Sequence, residues 1–167
     1  MTLPTPTLEP VAELTVKVAT PVEVGPITGL NSRGRRRVIP ITGGTARLAP
    51  GPDSAAGDWL AGEVLAGGAD FQLVVSDTCA ELDARYVLAL AGGARVYVHN
   101  RALRRGSAAD IARLVRGEAV DPAAIYFRCV PAFEVSDPSL VWLTESVFVG
   151  TGARYPDRVE MRFFRLG

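Results

Sequence analysis

The sequence has almost no lysine, a single histidine and only two cysteines. Of its 18 basic residues only Lys17 is a lysine, so the other 17 are arginines (18 − 1). One histidine, His99, excludes a histidine-rich metal site and leaves no plausible histidine-based catalytic triad. Cys79 and Cys129 fit neither a metal motif nor a disulfide framework, which favours reduced thiols. The arginine bias fits a G+C-rich coding sequence, although arginine also suits the binding of fixed anions.

The chain also lacks a net charge and a long apolar run. Its 18 acidic residues balance its 18 basic residues, so no net field attracts nucleic acid or an anionic membrane. No run approaches the ~18 apolar residues of a membrane helix, and the N-terminal residues are too rich in proline and threonine for a signal peptide. We therefore expect a soluble cytoplasmic protein without nucleic-acid or membrane partners.

Motifs for cofactors and metals are missing too. The pairs Gly43-Gly44 and Gly67-Gly68 open no helix and are not followed by a phosphate-binding lysine, so they predict turns or bulges. No cluster of carboxylates argues for a metal. We expect a protein without cofactor or metal. With 167 residues, 48% of them hydrophobic, the chain predicts one domain over residues 1–167, in which Met1–Pro10 forms a loosely ordered arm.

The stretch Gly62–Val98 contains three runs with the period of two that is typical of β-strands. Turn residues separate these runs at Ser76-Asp77-Thr78 and at Gly92-Gly93. In the middle run an apolar face, with Leu82, Ala84, Tyr86, Leu88 and Leu90, alternates with a face that carries Asp83 and Arg85. The connections are too short for a crossover helix, so the stretch predicts an antiparallel meander.

Further strands are predicted on both sides of the meander. They cover Val11–Val24 with a bend or an edge position at Pro21, Val38–Ile41, Ile125–Val130, Leu140–Val149, either whole or broken near Thr144–Ser146, and Arg158–Leu166. Gly25–Gly34 and Thr45–Asp58 are predicted as loops. One helix is predicted over Ser107–Arg116, with Ser107 as N-cap and Gly117 as C-cap glycine. About eight or nine strands with one short helix favour a closed all-β antiparallel barrel over a sandwich, and about eight strands leave room for one small ligand.

Charged residues inside otherwise apolar strands are the candidates for chemistry, because such a charge is exposed, paired or functional. One hypothesis places them on the outer face or in structural pairs. The other brings two arginines and one or two carboxylates together inside the barrel. There Arg85 and Arg128 would hold an anionic oxygen, while Asp70 or Glu134, with a raised pKa, would transfer a proton.

Two features constrain these hypotheses. The period of two puts Asp83 on the same face as Arg85 and Tyr86 on the opposite face. Arg85 therefore points inward only if Asp83 does so too. The triplet Arg35-Arg36-Arg37 is either a solvated patch or the source of one inward arginine. The lone His99, at the end of a strand, is structural or solvated in the simplest interpretation, with catalysis as the alternative.

Ordered blocks of residues along nearly the whole chain resemble one family. The blocks are Ile39-Pro40-Ile41-Thr42-Gly43-Gly44, Gly67-Gly68-Ala69-Asp70, Leu82-Asp83-Ala84-Arg85-Tyr86, Tyr126-Phe127-Arg128 with Pro131, Phe133-Glu134, Trp142-Leu143 and Val147-Phe148-Val149-Gly150. They resemble the small single-domain β-barrel family long catalogued as a domain of unknown function in bacteria and fungi. The resemblance runs from roughly Leu14 to Leu166. It implies a barrel of about eight antiparallel strands around a central cavity, and a few fungal relatives are cofactor-free enzymes that close an oxygen heterocycle by intramolecular hydroalkoxylation.

The chain departs from the usual family pattern at several polar positions. Asp70-Phe71 stands where Asp-Trp is usual, and Leu90–Ala94 replaces a turn with acidic residues. Thr144 replaces an asparagine and Ala102 a glycine. These losses fit a divergent member adapted to its own substrate, or one whose site has decayed.

Two functions of different classes follow. In the first, the protein is a cofactor-independent cyclase, isomerase or lyase of natural-product biosynthesis that acts on a polyketide-like or aromatic molecule. Asp70 and Glu134 are then the acid and base candidates, and the substrate-binding residues are Arg85, Arg128, Tyr97, Asn100 and Trp142. In the second, the same cavity belongs to a lipocalin-like binding protein without chemistry. We favour the enzyme. A homodimer is also expected, because small barrels with apolar outer strips often pair.

Overall fold

The structure, a computed structural model, describes residues 2–30, 33–52 and 57–167. In this part of the chain ten β-strands, one α-helix and two short 3-10 helices form. The strands are β1 Leu8–Val18, β2 Val22–Thr28, β3 Arg33–Leu48, β4 Leu60–Val64, β5 Ala69–Val74, β6 Cys79–Leu90, β7 Arg95–Arg105, β8 Tyr126–Val135, β9 Phe148–Arg154 and β10 Arg158–Leu166. The helix α1 spans Ala108–Val115, and the 3-10 helices span Pro122–Ala124 and Pro138–Leu143.

These strands close an eight-stranded antiparallel barrel with two additional strands, as the sequence predicts. Around the ring the order is β1, β10, β9, β8, β7, β6, then β4, then β3, and pairing of β3 with β1 closes it. One of the additional strands, β5, also pairs with both β3 and β6, at residues of these strands that do not pair with β4. The other additional strand, β2, pairs with the first half of β3.

The long strand β3 bends in the middle, and two glycines permit the bend. Gly43 and Gly44 have φ angles of 142° and 140°, a region that residues with a Cβ rarely adopt. A Cβ on Gly44 would also collide with the backbone carbonyl of Thr15 on β1. The first half of β3 therefore pairs with β2 and β5, and its second half pairs with β1 and β4.

The barrel has two different ends. We call one of them the closed end: there β8 leads into the 3-10 helix Pro138–Leu143, which buries Leu140, Trp142 and Leu143 before β9 begins. We call the other the open end: there β7 leads through Gly106 into α1. Ser107 caps α1 as predicted, since its Oγ accepts a hydrogen bond of 3.0 Å from the backbone N–H of Asp110. Gly117, with a φ of 78°, follows the last turn.

Four segments differ from their predictions. The segment predicted as the strand Leu140–Val149 is a 3-10 helix up to Leu143, because Asp137 accepts a hydrogen bond from the N–H of Ser139 and Pro138 starts the turn. The predicted loops 25–34 and 45–58 both contain strand residues, since β2 runs to Thr28 and β3 to Leu48. Residues 31–32 of the first loop and residues 53–56 of the second loop lie outside the described residues. The predicted arm also contributes Leu8–Pro10 to β1, where they pair with β10.

No helix among the described residues is long and apolar enough to cross a membrane.

Candidate functional site

Polar side chains are buried inside the open half of the barrel, where an apolar core would be expected. Four of them are almost fully buried: Arg37 on β3, Asp70 and Gln72 on β5, and Arg104 on β7. Arg154, the last residue of β9, is partly buried and interacts electrostatically with Arg37, Asp70 and Arg104. We call these five residues the interior polar cluster. Buried charges of this kind destabilise a fold unless they are paired or used.

Strand β5 contributes two members of the cluster because its polar face, and not the face with Phe71, points into the barrel. Its polar residues Asp70 and Gln72 point inward, whereas Phe71 between them is 44% exposed on the outer wall. Across the pairing with β3, Gln72 lies opposite Arg37 and Asp70 lies opposite Ile39. The register thus places an amide beside a guanidinium and a carboxyl next to that amide.

Gln72 connects Arg37 to Asp70 through hydrogen bonds. Its Oε1 accepts from Arg37 Nε at 2.7 Å and also from an outer nitrogen of the same guanidinium. Its Nε2 donates to Asp70 Oδ2 at 3.2 Å. The other carboxylate oxygen, Oδ1, accepts from the backbone N–H of Asp83 at 3.0 Å. Asp70 is therefore held by two neutral donors, and its orientation is fixed by its own strand and by β6.

Burial raises the pKa of Asp70 to about 6, because the charged form loses its hydration. The N–H of Asp83, the charge of Arg104, the Gln72 amide and the charge of Arg37 all act in the opposite direction, but less strongly. Among the described residues, no ion pair of 4.0 Å or less joins Asp70 to an arginine. A carboxyl with this pKa exists in both protonation states near neutral pH, as an acid or base requires.

The two arginines Arg104 and Arg154 lack partners for some of their donors. Arg104 is 4% exposed, yet its Nε has no hydrogen-bond acceptor, and the same is true of one outer nitrogen of Arg154. Burial, followed by the charges of Arg154 and Arg37, lowers the pKa of Arg104 to about 10. Two guanidiniums of like charge thus lie close together in a poorly hydrated place, which is the arrangement of a binding site for a negative charge.

A cavity of about 310 Å³ lies at the open end, between the strand ends and α1. Its polar walls are the side chains of Arg35, Arg37, Arg104, Arg116, Asp77 and Ser76. Its apolar walls come from strands β5 and β6 and from the facing side of α1: Val74, Ala80, Ala108, Ile111, Ala112 and Val115. Arg37 and Arg104 therefore connect this cavity with the rest of the interior polar cluster. Asp70 does not line it.

A second pair of interior groups lies deeper in the barrel. The hydroxyl of Tyr86 and the Oδ1 of Asn100 have no hydrogen-bond partner. The Asn100 side chain does bond to the thiol of Cys129, while burial raises the pKa of that thiol to about 12. These groups are polar positions in an otherwise apolar layer. Among the described residues, no three His, Cys, Asp or Glu side chains are grouped so that they could hold a metal ion.

Two of the predicted site residues, Asp70 and Asn100, are inside the barrel. A third, Trp142, is buried at the closed end, where its ring centroid lies 6.1 Å from that of Phe148. Trp142 and Asp70 therefore lie in different parts of the barrel interior, and Trp142 is not at the open end.

The other predicted site residues lie on the outer wall. Arg85 and Asp83 share a face, as the period of two requires, but it is the outer face. There Arg85 Nε donates to Asp83 Oδ1 at 3.2 Å, and that oxygen also lies 2.8 Å from His99 Nε2. Tyr86 instead points inward, because the apolar face of β6 packs in the core. Arg85 therefore does not meet Asp70 inside the barrel.

Arg128, Glu134 and Tyr97 also sit on outward positions of β7 and β8. The guanidinium of Arg128 lies over the ring of Tyr126, 5.1 Å from its centroid, and lines an outer groove of about 1250 Å³. No member of the interior polar cluster lines that groove. Consequently the outer wall holds one set of candidate residues and the barrel interior another.

The sequence contained a signal for the cluster members that the prediction left out. Arg104 continues the series Val96, Val98, Asn100 and Ala102, in which every second residue lies on the same inward face. Arg37 belongs to the triplet for which an inward arginine remained one of two interpretations. Gln72 follows Asp70 at the same spacing. Arg154 lies on the same face of β9 as Phe148, but the two glycines between them leave that face without an apolar pattern.

Comparison with known proteins places the chain in a family. The model of the family described as "Protein of unknown function (DUF3237)" matches residues 6–166. A UPF0311 protein of Rhodopseudomonas palustris, RPA1785, is 40% identical over 157 residues, which cover 93% of this chain and 94% of that protein. The crystal structure of RPA1785 matches with a TM-score of 0.84 over 99% of this chain and 100% of the other, at 36% identity in that alignment.

Two further solved structures share the fold. A beta-barrel like protein from Acinetobacter baumannii is 36% identical, with a TM-score of 0.78 and 99% coverage of both chains. An enzyme from Penicillium herquei has a TM-score of 0.61 over 100% of this chain and 99% of its own, at 18% identity. At that identity the likeness shows the fold alone. The match over residues 6–166 and the close bacterial relatives show that the chain belongs to the DUF3237 family of β-barrel proteins.

Proposed function

We propose that this protein is a cofactor-independent enzyme that transfers a proton within a small organic molecule bound at the open end of the barrel. The observation that carries the proposal is the environment of Asp70. Its carboxyl is buried, has a pKa of about 6 and is held by neutral donors, while the guanidiniums nearby form no direct ion pair with it. Groups arranged in this way are typical of acid–base sites.

The residues of the interior polar cluster would have different roles in such a reaction. In its ionised form Asp70 would accept a proton from an acidic hydroxyl or enol of the substrate. The negative charge would then develop on the substrate oxygen, where Arg104 would stabilise it. Asp70 would return the same proton to another atom of the substrate, so that neither an oxidant nor a reductant is needed. Both an isomerisation and a ring closure by addition of O–H to a double bond fit this balance.

Arg37 and Arg104, which line the cavity, also act electrostatically on Asp70, so in this proposal the substrate approaches Asp70 past these two arginines. Arg37 is held by Gln72, whereas Arg104 Nε has no partner and its side chain carries no ion pair of 4.0 Å or less among the described residues. The reacting oxygen would therefore lie between Arg104 and Asp70, with the remainder of a polyketide-like or aromatic substrate against the apolar side of α1. The distant enzyme from Penicillium herquei supports catalysis in this fold only as an analogy.

The test compares Asp70→Asn with a matched control, Glu134→Gln on the outer wall. A panel of cyclic 1,3-diketones and alkenyl phenols is incubated with each protein in D₂O. Deuterium incorporation and cyclised products are followed by NMR. Asp70→Asn should lose about 10²–10⁴-fold in the rate for the active compound while still binding it, because the amide keeps the shape and removes the proton. Equal rates for Asp70→Asn and the unmodified protein would refute the assignment of Asp70.

A binding protein without chemistry is the second candidate, and one observation favours it. The cavity is lined by arginines and apolar side chains, and Asp70 is not among its walls. If compounds of the panel bind in the cavity but exchange no deuterium beyond the rate in buffer, binding alone is the function.

A further inference from the structure

We infer that the molecule bound at the open end carries a carboxylate, which Arg104 binds, attached to an apolar body about the size of one aromatic ring. The inference names the ligand class for the cavity of the proposed function, and so rests on that proposal for the location of the site. It does not depend on whether Asp70 transfers a proton.

The four arginines of the cavity wall differ in how they are paired. Three have partners: Arg35 has Glu23 at 3.8 Å, Arg37 has the Gln72 amide and Glu23 at 3.9 Å, and Arg116 has Glu118 at 2.6 Å. Arg104 is the most deeply buried of the four and, in the described part of the chain, has no such partner. A protein of this size rarely leaves a buried guanidinium unpaired unless something else binds it.

Arg154 adds a second unsatisfied donor next to Arg104. Its charge is the largest electrostatic influence on Arg104, and one of its outer nitrogens lacks an acceptor. The nearest buried carboxyl, Asp70, is already occupied by Gln72 and by the Asp83 N–H. Arg154 does not line the cavity, but a negative charge bound beside Arg104 would offset the repulsion between the two guanidiniums. A planar carboxylate matches the geometry of a guanidinium, because its two oxygens can accept two parallel hydrogen bonds.

The other walls indicate an organic rather than an inorganic anion. Val74, Ala80, Ile111 and Val115 face the same space as Arg104. A cavity of about 310 Å³ has the volume of roughly ten water molecules at ~30 Å³ each. A carboxylate on one aromatic ring fits that volume and covers the apolar wall, whereas an inorganic phosphate would leave the wall uncovered.

The experiment uses benzoate and its neutral isostere benzamide as probes, with inorganic phosphate as a third, all at one ionic strength. Binding to the unmodified protein is measured by isothermal titration calorimetry. Benzoate should bind at least about 10-fold more tightly than benzamide, because a charge-assisted bidentate pair is lost with the amide. Equal binding of benzoate and benzamide would overturn the inference. Phosphate binding tighter than benzoate would overturn it in favour of an inorganic anion.

The matched variants are Arg104→Met and Arg105→Met. The two arginines are neighbours on β7, but Arg105 is exposed on the outer wall over Tyr126. Arg104→Met should weaken benzoate binding about 10- to 100-fold. It should also raise the melting temperature of the ligand-free protein by roughly 5 °C, because an unpaired buried charge is removed. Arg105→Met should change neither quantity.

Unchanged benzoate binding by Arg104→Met would overturn the inference, and so would a sharply lowered melting temperature, which would make Arg104 a structural residue. If Arg104→Met does not fold, Arg104→Gln replaces it with the same expected loss of benzoate binding, and unchanged binding in that variant would overturn the inference too. Asp70→Asn separates the two proposals. It should bind benzoate at least as tightly as the unmodified protein, even if the proton-transfer assay fails for every compound.

Discussion

At the closed end of the barrel Phe133 and Phe148 pack edge to face, with ring centroids 5.1 Å apart, and Phe163 lies 6.1 Å from Phe133. At the open end the same ring of strands carries Arg104 and Arg154, whose donors are partly unsatisfied. The same change from apolar to polar side chains occurs along individual strands, from the closed end to the open end. The closed end is therefore an apolar core that stabilises the fold, and the open end is the part that we propose for a ligand.

Strand β7 shows the change most clearly. Val96 and Val98, near the closed end, are fully buried among apolar side chains. Asn100 comes next on the same face, and Arg104 ends the series at the open end. Strand β9 repeats the change from Phe148 to Arg154. A strand that obeyed the hydrophobic pattern alone would end on an apolar residue. Because rules of folding are most often broken at functional sites, this change supports the proposal of a site at the open end.

The largest effect is expected from breaking the closed end. Phe163→Ala should lower the free energy of unfolding by about 3–5 kcal/mol, because it removes a fully buried ring and leaves a cavity. The control is Phe164→Ala, the neighbouring residue on the outer wall, which should cost clearly less because its ring is partly exposed. Urea denaturation at constant pH measures both variants. Equal losses would contradict the view that the closed end holds the stability.

Removing a buried charge at the open end should increase the stability of the protein instead of lowering it. The pKa of Asp70 is about 6 in the folded protein, against 3.8 for a free aspartate. Well below pH 3.8 the folded and the unfolded state both bind the proton, so the raised pKa of Asp70 does not reduce the stability. As the pH rises from there to 6, only the folded state keeps the proton, so stability is lost, and above pH 6 the loss is complete. A shift of about 2 pKa units corresponds to on the order of 3 kcal/mol.

Asp70→Asn should therefore stabilise the protein at pH 7 by that order of magnitude and leave its stability nearly unchanged at pH 3.5. Urea denaturation across this pH range is the measurement. Glu134→Gln, on the exposed outer wall, should show no comparable difference between the two pH values. If Asp70→Asn is less stable at pH 7, the guanidiniums of the interior polar cluster stabilise the carboxylate more than burial destabilises it.

A smaller effect is expected for the helix above the cavity. Ser107→Ala removes the N-cap of α1 and should cost about 1 kcal/mol. Because α1 packs over the open end, amide hydrogen exchange in Ala108–Val115 should accelerate, while exchange at the closed end stays constant. Ser107→Asp keeps a capping oxygen and should restore slow exchange. Faster exchange at both ends in Ser107→Ala would show that the two ends unfold together.

Only part of the candidate site could be predicted, and β5 and β6 show why. The period of two correctly grouped Asp83 with Arg85 and Tyr86 with its apolar neighbours. It does not say which face is inside. In β6 the apolar face packs inward and turns Arg85 out, whereas in β5 the face with Asp70 packs inward and turns Phe71 out. Which of two faces enters the barrel depends on the strands that pair with it, and those pairings join residues far apart in the chain.

The sequence by itself determined the features that rest on neighbouring residues. The alternating strands, the N-cap of α1 at Ser107 and the turns of the meander follow from side-chain spacing and turn chemistry within a few residues. Tertiary structure alone decided that Arg37, Asp70, Arg104 and Arg154 meet at the open end. These residues come from four strands, and they share one interior only because the pairing of β3 with β1 closes the sheet. Closure is a property of register and twist summed around the ring, which no local stretch of the chain contains.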